Sequence, residues 1–363
     1  MEPELRWIDP GVTETRADVC QVQSTREETV LLFGAQQAPP ADGERRARLE
    51  RRIVLNPALA KQLAAGLASA VREYEARLGS ANATPAGSIQ SAPTDEDAPA
   101  AARPLLRLVR GLGVGFGFEK SFKMSAGSLL DERMILGVRT GLTDAQSLLR
   151  VCREIGMPQA YLAQFEGSVP EANTVGFGFE GDARGGVYKV YLEFWDRLWQ
   201  RVQREPGDVA PALLFLGFKW AARDAAHSAL ARYTCHPLLS VQGIQRRLDA
   251  LYEGRADSAS RQAAREILAL ASRRLGAGSF VYVEAEEEGN PRKSFDLNLY
   301  KARLRVSELQ PALRPLCRHY AIADEALGRI GAQAGGRQFG HLSGGLGRDG
   351  RDFLTVYYEL EAL

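Results

Sequence analysis

A repeated strand sequence is the feature that most constrains the fold of this 363-residue chain. The string VGFGFE occurs at 114–119 and again at 175–180. A longer repeat is also present. LLRVCREIGMPQAYLAQF (148–165) parallels LRPLCRHYAIADEALGRI (313–330), and GVYKVYLEF (186–194) parallels DFLTVYYEL (352–360). Each copy is a helical pattern followed by a hairpin arm, so the sequence predicts repeated helix-plus-hairpin units.

Extending this unit through the rest of the region predicts five β-hairpins separated by helices. The paired arms are 108–119 with 131–139, 174–180 with 186–194, 212–220 with 227–236, 279–286 with 293–300, and 338–344 with 352–360. Helical patterns fill 143–166, 194–204, 239–273 and 305–333. The predicted fold class is α+β, with about ten antiparallel strands forming a barrel or strongly curved sheet and helices outside it.

A stretch rich in Ala, Pro and Ser, residues 79–103, has almost no large apolar side chain and cannot bury a face. The sequence therefore predicts a small N-terminal αβ domain at 1–79, a linker at 80–103 and the barrel-like domain at 104–363. Within the small domain, strands are expected at 17–23, 28–33 and 52–55, and a helix is expected to start at Asn56-Pro57.

The run RRIVLNPALAKQL…VREYEARLG, with EETVLLFG upstream of it, carries a resemblance to a known family. Over residues 15–79 the chain resembles a small uncharacterised domain family found in bacteria and phages. That resemblance implies a domain boundary and no reaction. A structural subunit of a bacterial or phage assembly is one function that it would fit.

Alternation along the predicted strands separates an apolar face from a polar, tyrosine-rich face. In GVYKVYLEF, Val190 and Leu192 lie opposite Lys189, Tyr191 and Glu193. KSFDLNLY and DFLTVYYEL alternate in the same way, and in LARYTCH the polar set is Arg232, Thr234 and His236. Helices need an apolar surface to cover, so the polar face is expected inside a closed barrel. The alternative is an open sheet whose polar face is wet.

The rhythm of helices and hairpins, with segments such as VYKVYLEF, FDLNLYKA and DFLTVYYEL, resembles the aromatic prenyltransferases of the ABBA barrel type. Those enzymes hold an isoprenoid diphosphate with Lys and Arg on inner strand faces and shield the allyl cation with Tyr rings. The resemblance implies Arg139, Lys189, Lys219 and Arg232 as diphosphate ligands, which should then converge. It also implies Tyr191, Tyr233, Tyr300 and Tyr357 as shields, although Tyr233 alternates to the opposite face from Arg232.

Three carboxylates are candidates for a base that acts on an aromatic acceptor in a desolvated cavity: Glu193, Glu284 and Asp296. Structural ion pairing is the competing interpretation of each. The resulting hypothesis is a transferase that moves an allylic group from an isoprenoid diphosphate to an aromatic or peptide acceptor. The alternatives are a barrel that binds a small molecule or peptide without catalysis, and the assembly subunit.

Composition and motifs exclude other classes of function. A net charge of +1 gives no field for nucleic acid or a membrane, so neither is an expected partner. The four cysteines are far apart and indicate neither a zinc site nor disulfides. No signal peptide is visible, so a cytoplasmic location is expected. No metal or cofactor is indicated, although Mg²⁺ could accompany a diphosphate donor. Residues 345–350 match GxGxxG but precede a strand, which indicates a hairpin turn.

Overall fold

The structure, a computed structural model, describes residues 17, 19–24, 29–36, 47–56, 58–63, 93–182, 185–204, 210–255, 258–274 and 280–362. The chain divides into two compact units, residues 1–76 and 77–363. Each unit has its own sheet.

The first unit contains a three-stranded antiparallel sheet in the order β1-β2-β3, formed by Val19–Ser24, Thr29–Gln36 and Ala47–Leu55. All three predicted strands are present, and β3 begins earlier than expected. A helix, α1, is described over residues 58–63. The Asn56 side chain accepts a hydrogen bond from the Leu59 amide at 2.8 Å, as an N-cap should. The rest of the predicted helix, up to Gly79, lies outside the described residues.

The second unit is a closed antiparallel barrel of ten strands with one extra outer strand, β5 (Ser128–Leu130). Neighbouring strands follow one another in the chain, and β14 pairs with β4 to close the barrel. The barrel strands are β4 (Gly117–Ser125), β6 (Arg133–Arg139), β7 (Thr174–Glu180), β8 (Val187–Glu193), β9 (Ala212–Ala221), β10 (Asp224–His236), β11 (Val281–Glu287), β12 (Lys293–Asn298), β13 (Phe339–Leu346) and β14 (Asp352–Ala362).

Helices connect the hairpins at one end of the barrel. They are α2 (Arg103–Arg110), α3 (Ala145–Glu154), α4 (Gln159–Ser168), α5 (Trp195–Arg204), α6 (Val241–Leu251), α7 (Ala259–Ser272), α8 (Gln310–His319) and α9 (Asp324–Ala334). Three of the long helical patterns are thus broken into pairs. Each break follows a residue with positive φ, namely Gly156, Gly254 and Ala321, and such a residue ends a helix.

The apolar strand face meets the helices, and the polar face lies inside the barrel, as predicted. One buried cluster joins α2, α3 and α4 to strands such as β6, β7 and β8. A second joins α6 to α9 with β12, β13 and β14. A smaller cluster contains Leu198 of α5 with Leu214, Cys235 and Val283. Burial of the side chains in these three clusters supplies the main driving force for folding.

The start of the barrel unit differs from the prediction. Residues 108–110 end helix α2, and the first barrel strand runs from 117 to 125 instead of 108–119. The spacing of Leu105, Leu106 and Val109 explains this, because it places three fully buried side chains on one helix face. Residues 93–103, which were assigned to the linker, also belong to this unit: Ala98 and Ala102 are buried in its core. Residues 80–92 of that linker lie outside the described part of the chain.

The internal repeat is weakly visible in the structure. Cys152 on α3 and Cys317 on α8 are both buried against the barrel. Tyr191 on β8 and Tyr357 on β14 both face the interior. Cys235 is also buried and Cys20 is exposed, and all four cysteines are free thiols. Among the described residues, no helix is both long and apolar enough to cross a membrane.

Replacing Phe122 tests the closure of the barrel. Its side chain is fully buried on β4, directly opposite Val356 on β14. We expect Phe122→Ala to lower the free energy of unfolding by about 3–5 kcal/mol, because the change leaves a cavity at the closing seam. Urea denaturation measures this loss. Leu142→Ala, at a side chain that is 52% exposed, should cost less than about 0.5 kcal/mol. Equal losses in the two variants would contradict the placement of this seam.

Candidate functional site

The barrel encloses a cavity of about 890 Å³. Its lining begins at the hairpin turns, with residues such as Asp182, Arg223 and Gly347, and continues along the inner strand faces to Glu193 and Phe215. A volume of this order suits a drug-sized ligand or two smaller ones. The hairpin end and the helix end of the cavity carry different chemistry.

Five cationic side chains line the hairpin end of the cavity, and we call them the cation cluster: Lys123, Arg133, Lys189, Lys219 and Arg292. The first four come from β4, β6, β8 and β9, while Arg292 directly precedes β12. Lys189 and Lys219 are direct cross-strand partners. Two like charges in such a position repel each other, so the sheet alone would not favour this pair.

Glu180 on β7 is the first of two carboxylates within the cation cluster. It forms ion pairs with Arg133 and Lys189, and its Oε1 lies 3.9 Å from Lys123 Nζ. Arg133 Nε also donates to Ser121 Oγ at 3.0 Å. Burial alone would raise the pKa of Glu180, but Arg133 and the two lysines hold it well below its usual value.

Glu287 at the end of β11 is the second carboxylate, and its side chain is only 1% exposed. Its Oε1 accepts from Lys219 Nζ at 2.5 Å and from Arg292 Nη1 at 2.8 Å. Its Oε2 lies 3.0 Å from Arg348 Nη2, which belongs to the exposed turn between β13 and β14. Lys219 and Arg292 hold the pKa of Glu287 below its usual value despite its burial.

The cation cluster is not neutralised by these two carboxylates. Five formal positive charges meet two negative ones, so three positive charges are in excess. Burial lowers the pKa of Lys189 to about 8, and burial and the nearby Arg292 lower the pKa of Lys219 further below its usual value. Within the described chain, Arg292 Nε is buried and has no hydrogen-bond partner. The arrangement fits a ligand group that carries several negative charges.

Aromatic rings form the layer next to the cation cluster. The Tyr191 and Tyr233 rings meet edge to face at 5.8 Å, and Phe215 packs on Tyr233 at 6.0 Å. Lys219 Nζ lies 5.8 Å from the centre of the Tyr233 ring. Burial raises the pKa of Tyr191 and of Tyr233, so both rings stay un-ionised. Their faces are therefore available to stabilise a cationic or apolar ligand group.

The helix end of the cavity contains a histidine between two carboxylates. His341 Nδ1 lies 2.7 Å from Asp296 Oδ2, and Nε2 lies 3.2 Å from Glu119 Oε2. Tyr300 donates its hydroxyl to Glu119, and the His341 ring stacks on Tyr357 at 3.9 Å. Burial alone would lower the pKa of His341, but Asp296 and Glu119 raise it well above its usual value. The two carboxylates therefore favour the imidazolium form of His341, and His341 in turn lowers the pKa of Glu119.

Most of the residues singled out from the sequence face this interior. The cavity lining includes Lys189, Lys219, Tyr191, Tyr357, Glu193 and Asp296. Tyr300, on the turn after β12, reaches the site through its bond to Glu119. The structure places these residues together but does not assign their roles.

Three of the predicted site residues lie elsewhere. Arg232 points outward from β10, is 54% exposed and pairs with Glu288 at 3.5 Å, because Tyr233 takes the inward position. Glu284 lies on the outer face and accepts from Arg247 Nε of α6 at 2.8 Å. Arg139 is exposed at the last position of β6 and does not line the cavity. The expected convergence of four cations is therefore wrong for Arg139 and Arg232.

The sequence analysis missed several residues of the site: Lys123, Arg133, Glu119, Glu180, Glu287, Arg292 and His341. Lys123 and Glu119 alternate with the buried Phe118 and Phe122, which is a readable strand signal once β4 is placed correctly. Arg292 carries no comparable signal, because it lies in a hairpin turn.

Comparisons with known proteins match the two parts of the chain separately. The family described as "Protein of unknown function (DUF3467)" matches residues 2–83. No curated protein matches the chain.

Among solved structures, the prenyltransferase PriB in a binary complex with product diphosphate is 14% identical. Its TM-score is 0.48 over 72% of this chain and 91% of PriB. The 5-dimethylallyltryptophan synthase from Streptomyces coelicolor is 16% identical, with a TM-score of 0.43 over 67% of this chain and 81% of that one. AnaPT from Neosartorya fischeri is 12% identical, with a TM-score of 0.40 over 68% of this chain and 79% of AnaPT. Both resemblances inferred from the sequence are thus confirmed as resemblances.

Replacing Glu287 tests the charge balance of the cation cluster. We expect Glu287→Gln to lower the free energy of unfolding by about 3–5 kcal/mol, because it leaves buried cations without their carboxylate. The neighbouring Glu288 provides a matched control: it is exposed, and Glu288→Gln should cost less than about 1 kcal/mol. Chemical denaturation of both variants, with and without inorganic diphosphate, measures the difference. If Glu287→Gln is as stable as Glu288→Gln, the carboxylate of Glu287 does not stabilise the folded protein by pairing with the buried cations.

Proposed function

We propose that the barrel transfers an allylic group from an isoprenoid diphosphate to an aromatic acceptor. The observation that carries this proposal is the position of the cation cluster, in which cationic side chains outnumber carboxylates, directly beside un-ionised tyrosine rings in one cavity. A diphosphate group carries about three negative charges, and an allylic cation is stabilised by aromatic faces. The two halves of an allylic diphosphate thus match two adjacent layers of the cavity wall.

The reaction begins when the allylic carbon–oxygen bond breaks and both bonding electrons leave with the diphosphate. Arg133, Lys189, Lys219 and Arg292 are placed to stabilise the negative charge that develops on the departing oxygen. Because these groups are fixed by Glu180 and Glu287 before the ligand binds, little reorganisation is needed during the reaction. The barrel wall also keeps bulk water away from the cation.

The carbocation would next face the rings of Tyr191, Tyr233 and Tyr357. Neutral rings attract a cation through their faces, worth about 2 kcal/mol or more when desolvated. A carbon of the acceptor ring then attacks the cation, and a new carbon–carbon bond forms as the ring takes up the positive charge.

The acceptor must finally release a proton from the attacked carbon to restore aromaticity. Glu119 and Asp296, which both contact His341, are candidates to receive it, and Glu193 remains another. A cationic ring is a strong acid, so even a carboxylate with a low pKa can accept this proton. The proton leaves the acceptor, the diphosphate leaves the donor, and charge balances.

A resident Mg²⁺ ion does not fit the hairpin end as it stands. The two carboxylates within the cation cluster are each paired with at least two cationic side chains. Among the described residues, no group of three His, Cys, Asp or Glu side chains is arranged to hold a metal. Mg²⁺ that arrives with the diphosphate donor stays a prediction.

The proposal is tested by incubating the protein with dimethylallyl diphosphate and aromatic acceptors such as indole and 2-naphthol. Prenylated product should appear together with an equal amount of released diphosphate, as measured by mass spectrometry and a diphosphate assay. We expect Arg133→Met to weaken diphosphate binding by about 10- to 100-fold, because it removes a charged hydrogen-bond donor.

Arg232→Met is the matched control, because it removes a barrel arginine that points outward, and it should leave product formation unchanged. Tight binding of allylic diphosphates with no product from any acceptor would replace the proposal with a non-catalytic binding protein. Failure to bind diphosphates at all would remove both functions.

The lowered pKa of Lys189 predicts a pH dependence for anion binding. In the free protein this pKa is about 8, and a bound diphosphate should raise it toward the usual 10.5. Binding then takes up a proton above pH 8, so the affinity falls as the pH rises, by up to about tenfold per unit.

Calorimetry with inorganic diphosphate between pH 7 and 9.5 measures this slope. Lys189→Arg should flatten it, since an arginine stays charged throughout this range. The ligand's own titration is the same for both proteins, so the difference between the curves belongs to Lys189. Parallel curves would show that Lys189 does not titrate on binding.

A further inference from the structure

A phenylalanine ring lies among the cations at the hairpin end of the cavity. Phe353, near the start of β14, is buried and lines the cavity with Thr355 and Tyr357. Its backbone is fixed on both sides, since it pairs with Ser125 of β4 and with Gly345 of β13. The side chain has no hydrogen-bonding group, so its place in a charged wall must be explained by its ring.

Two members of the cation cluster lie against this ring. Lys123 Nζ is 4.8 Å from the ring centre, and Arg292 Cζ is 5.2 Å from it. Both distances are within the roughly 6 Å over which a ring face attracts a cation. Lys123 contacts the carboxylate of Glu180, and Arg292 is paired with Glu287. The ring thus contacts one cation from the set that surrounds each carboxylate.

These two cations are only partly restrained by their carboxylates. The 3.9 Å contact between Lys123 Nζ and Glu180 is too long for a hydrogen bond, and 27% of the Lys123 side chain is exposed. Arg292 Nη1 donates to Glu287, yet 24% of the Arg292 side chain is exposed. Burial lowers the pKa of Lys123, and the positive charges of Arg133 and Arg292 add to this effect. Without the ring, repulsion would favour rotamers that turn toward solvent.

We propose that Phe353 is a positioning residue of the anion site, whose ring holds Lys123 and Arg292 inside the cavity where both can contact one bound anion. The inference rests on the proposed function only for the identity of that anion as a diphosphate. A side chain that is already in place when the ligand arrives loses little conformational freedom on binding. The ring therefore raises the affinity for the anion through the two cations.

Fluorinated phenylalanines at position 353 test this role, because fluorine withdraws electrons from the ring face and hardly changes the shape of the ring. We expect the affinity for inorganic diphosphate to fall stepwise with mono-, di- and trifluorinated rings, by about three- to tenfold in total. Isothermal titration calorimetry at neutral pH measures the dissociation constants. A side chain that only fills space would give the same affinity with every ring.

The titration of Lys123 gives a second readout, which needs no ligand. The ring face stabilises the ammonium form, so the pKa of Lys123 should fall further as fluorine is added at position 353. NMR titration of protein with labelled lysine Cε carbons measures this pKa, and Lys123→Arg assigns the signal.

Phe122 provides the matched control. It directly precedes Lys123 on β4, but its ring is fully buried on the outer face of the barrel, in the cluster that packs against the helices. The trifluorinated residue at position 122 should leave the diphosphate affinity within about twofold and the pKa of Lys123 unchanged, because this ring faces away from the cation cluster. Phe353→Leu removes the ring and should weaken binding at least as much as trifluorination, which gives the answer if the trifluorinated protein does not fold.

Equal diphosphate affinities across the series at position 353, an unchanged pKa of Lys123, or an equal loss with the trifluorinated ring at position 122 would overturn the positioning role and leave the proposed function standing. The expected dependence on fluorine, with no prenylated product from any acceptor, would remove the proposed function and keep the role of Phe353. An unmodified protein that binds no diphosphate would overturn both.

Discussion

The pairing of β14 with β4 is the interaction on which the rest of the structure depends. In an open sheet, helices would cover one face and solvent would contact the other. Closure turns that face into an interior that water reaches only through the ends. Every unusual feature of the cavity, from paired lysines to a histidine between two acids, requires this enclosure. In open solvent these groups would be screened and would keep their ordinary titration behaviour.

Burying a charged side chain in an enclosed cavity costs free energy. In this barrel a single counterion offsets that cost for more than one charged group. Glu180 and Glu287 each form ion pairs with at least two cationic side chains. Two carboxylates are therefore shared among the larger number of cations at the hairpin end. At the other end the pattern is reversed, since one imidazolium serves Asp296 and Glu119. The cavity is thus polarised along its length, positive near the hairpin turns and acidic near the helices. A ligand with an anionic head and a hydrogen-donating far end would align in only one direction.

The architecture could be predicted from the sequence because alternation and repetition are local signals. In KVYLE, the period of two separates Lys189 and Tyr191 from Val190 and Leu192 without any knowledge of the partner strand. The cation cluster could not be predicted in the same way. Arg232 and Lys219 look alike in sequence, and the difference between them is the parity of one strand relative to its neighbour, which register decides. Arg292 belongs to a turn, where no period exists to assign a face.

The first strand shows a second reason for failure. The strand was predicted to start nine residues too early, because the packing of Leu105, Leu106 and Val109 makes the preceding residues a helix.

The direct opposition of Lys189 and Lys219 has a consequence for the protein before it meets any substrate. Glu180 and Glu287 each pair with one of these lysines and reduce their repulsion, and an anionic ligand would reduce it further. An anionic ligand that binds between the two lysines would therefore stabilise the folded protein through mass action. The concentration of such a ligand would then influence the fraction of the protein that stays folded.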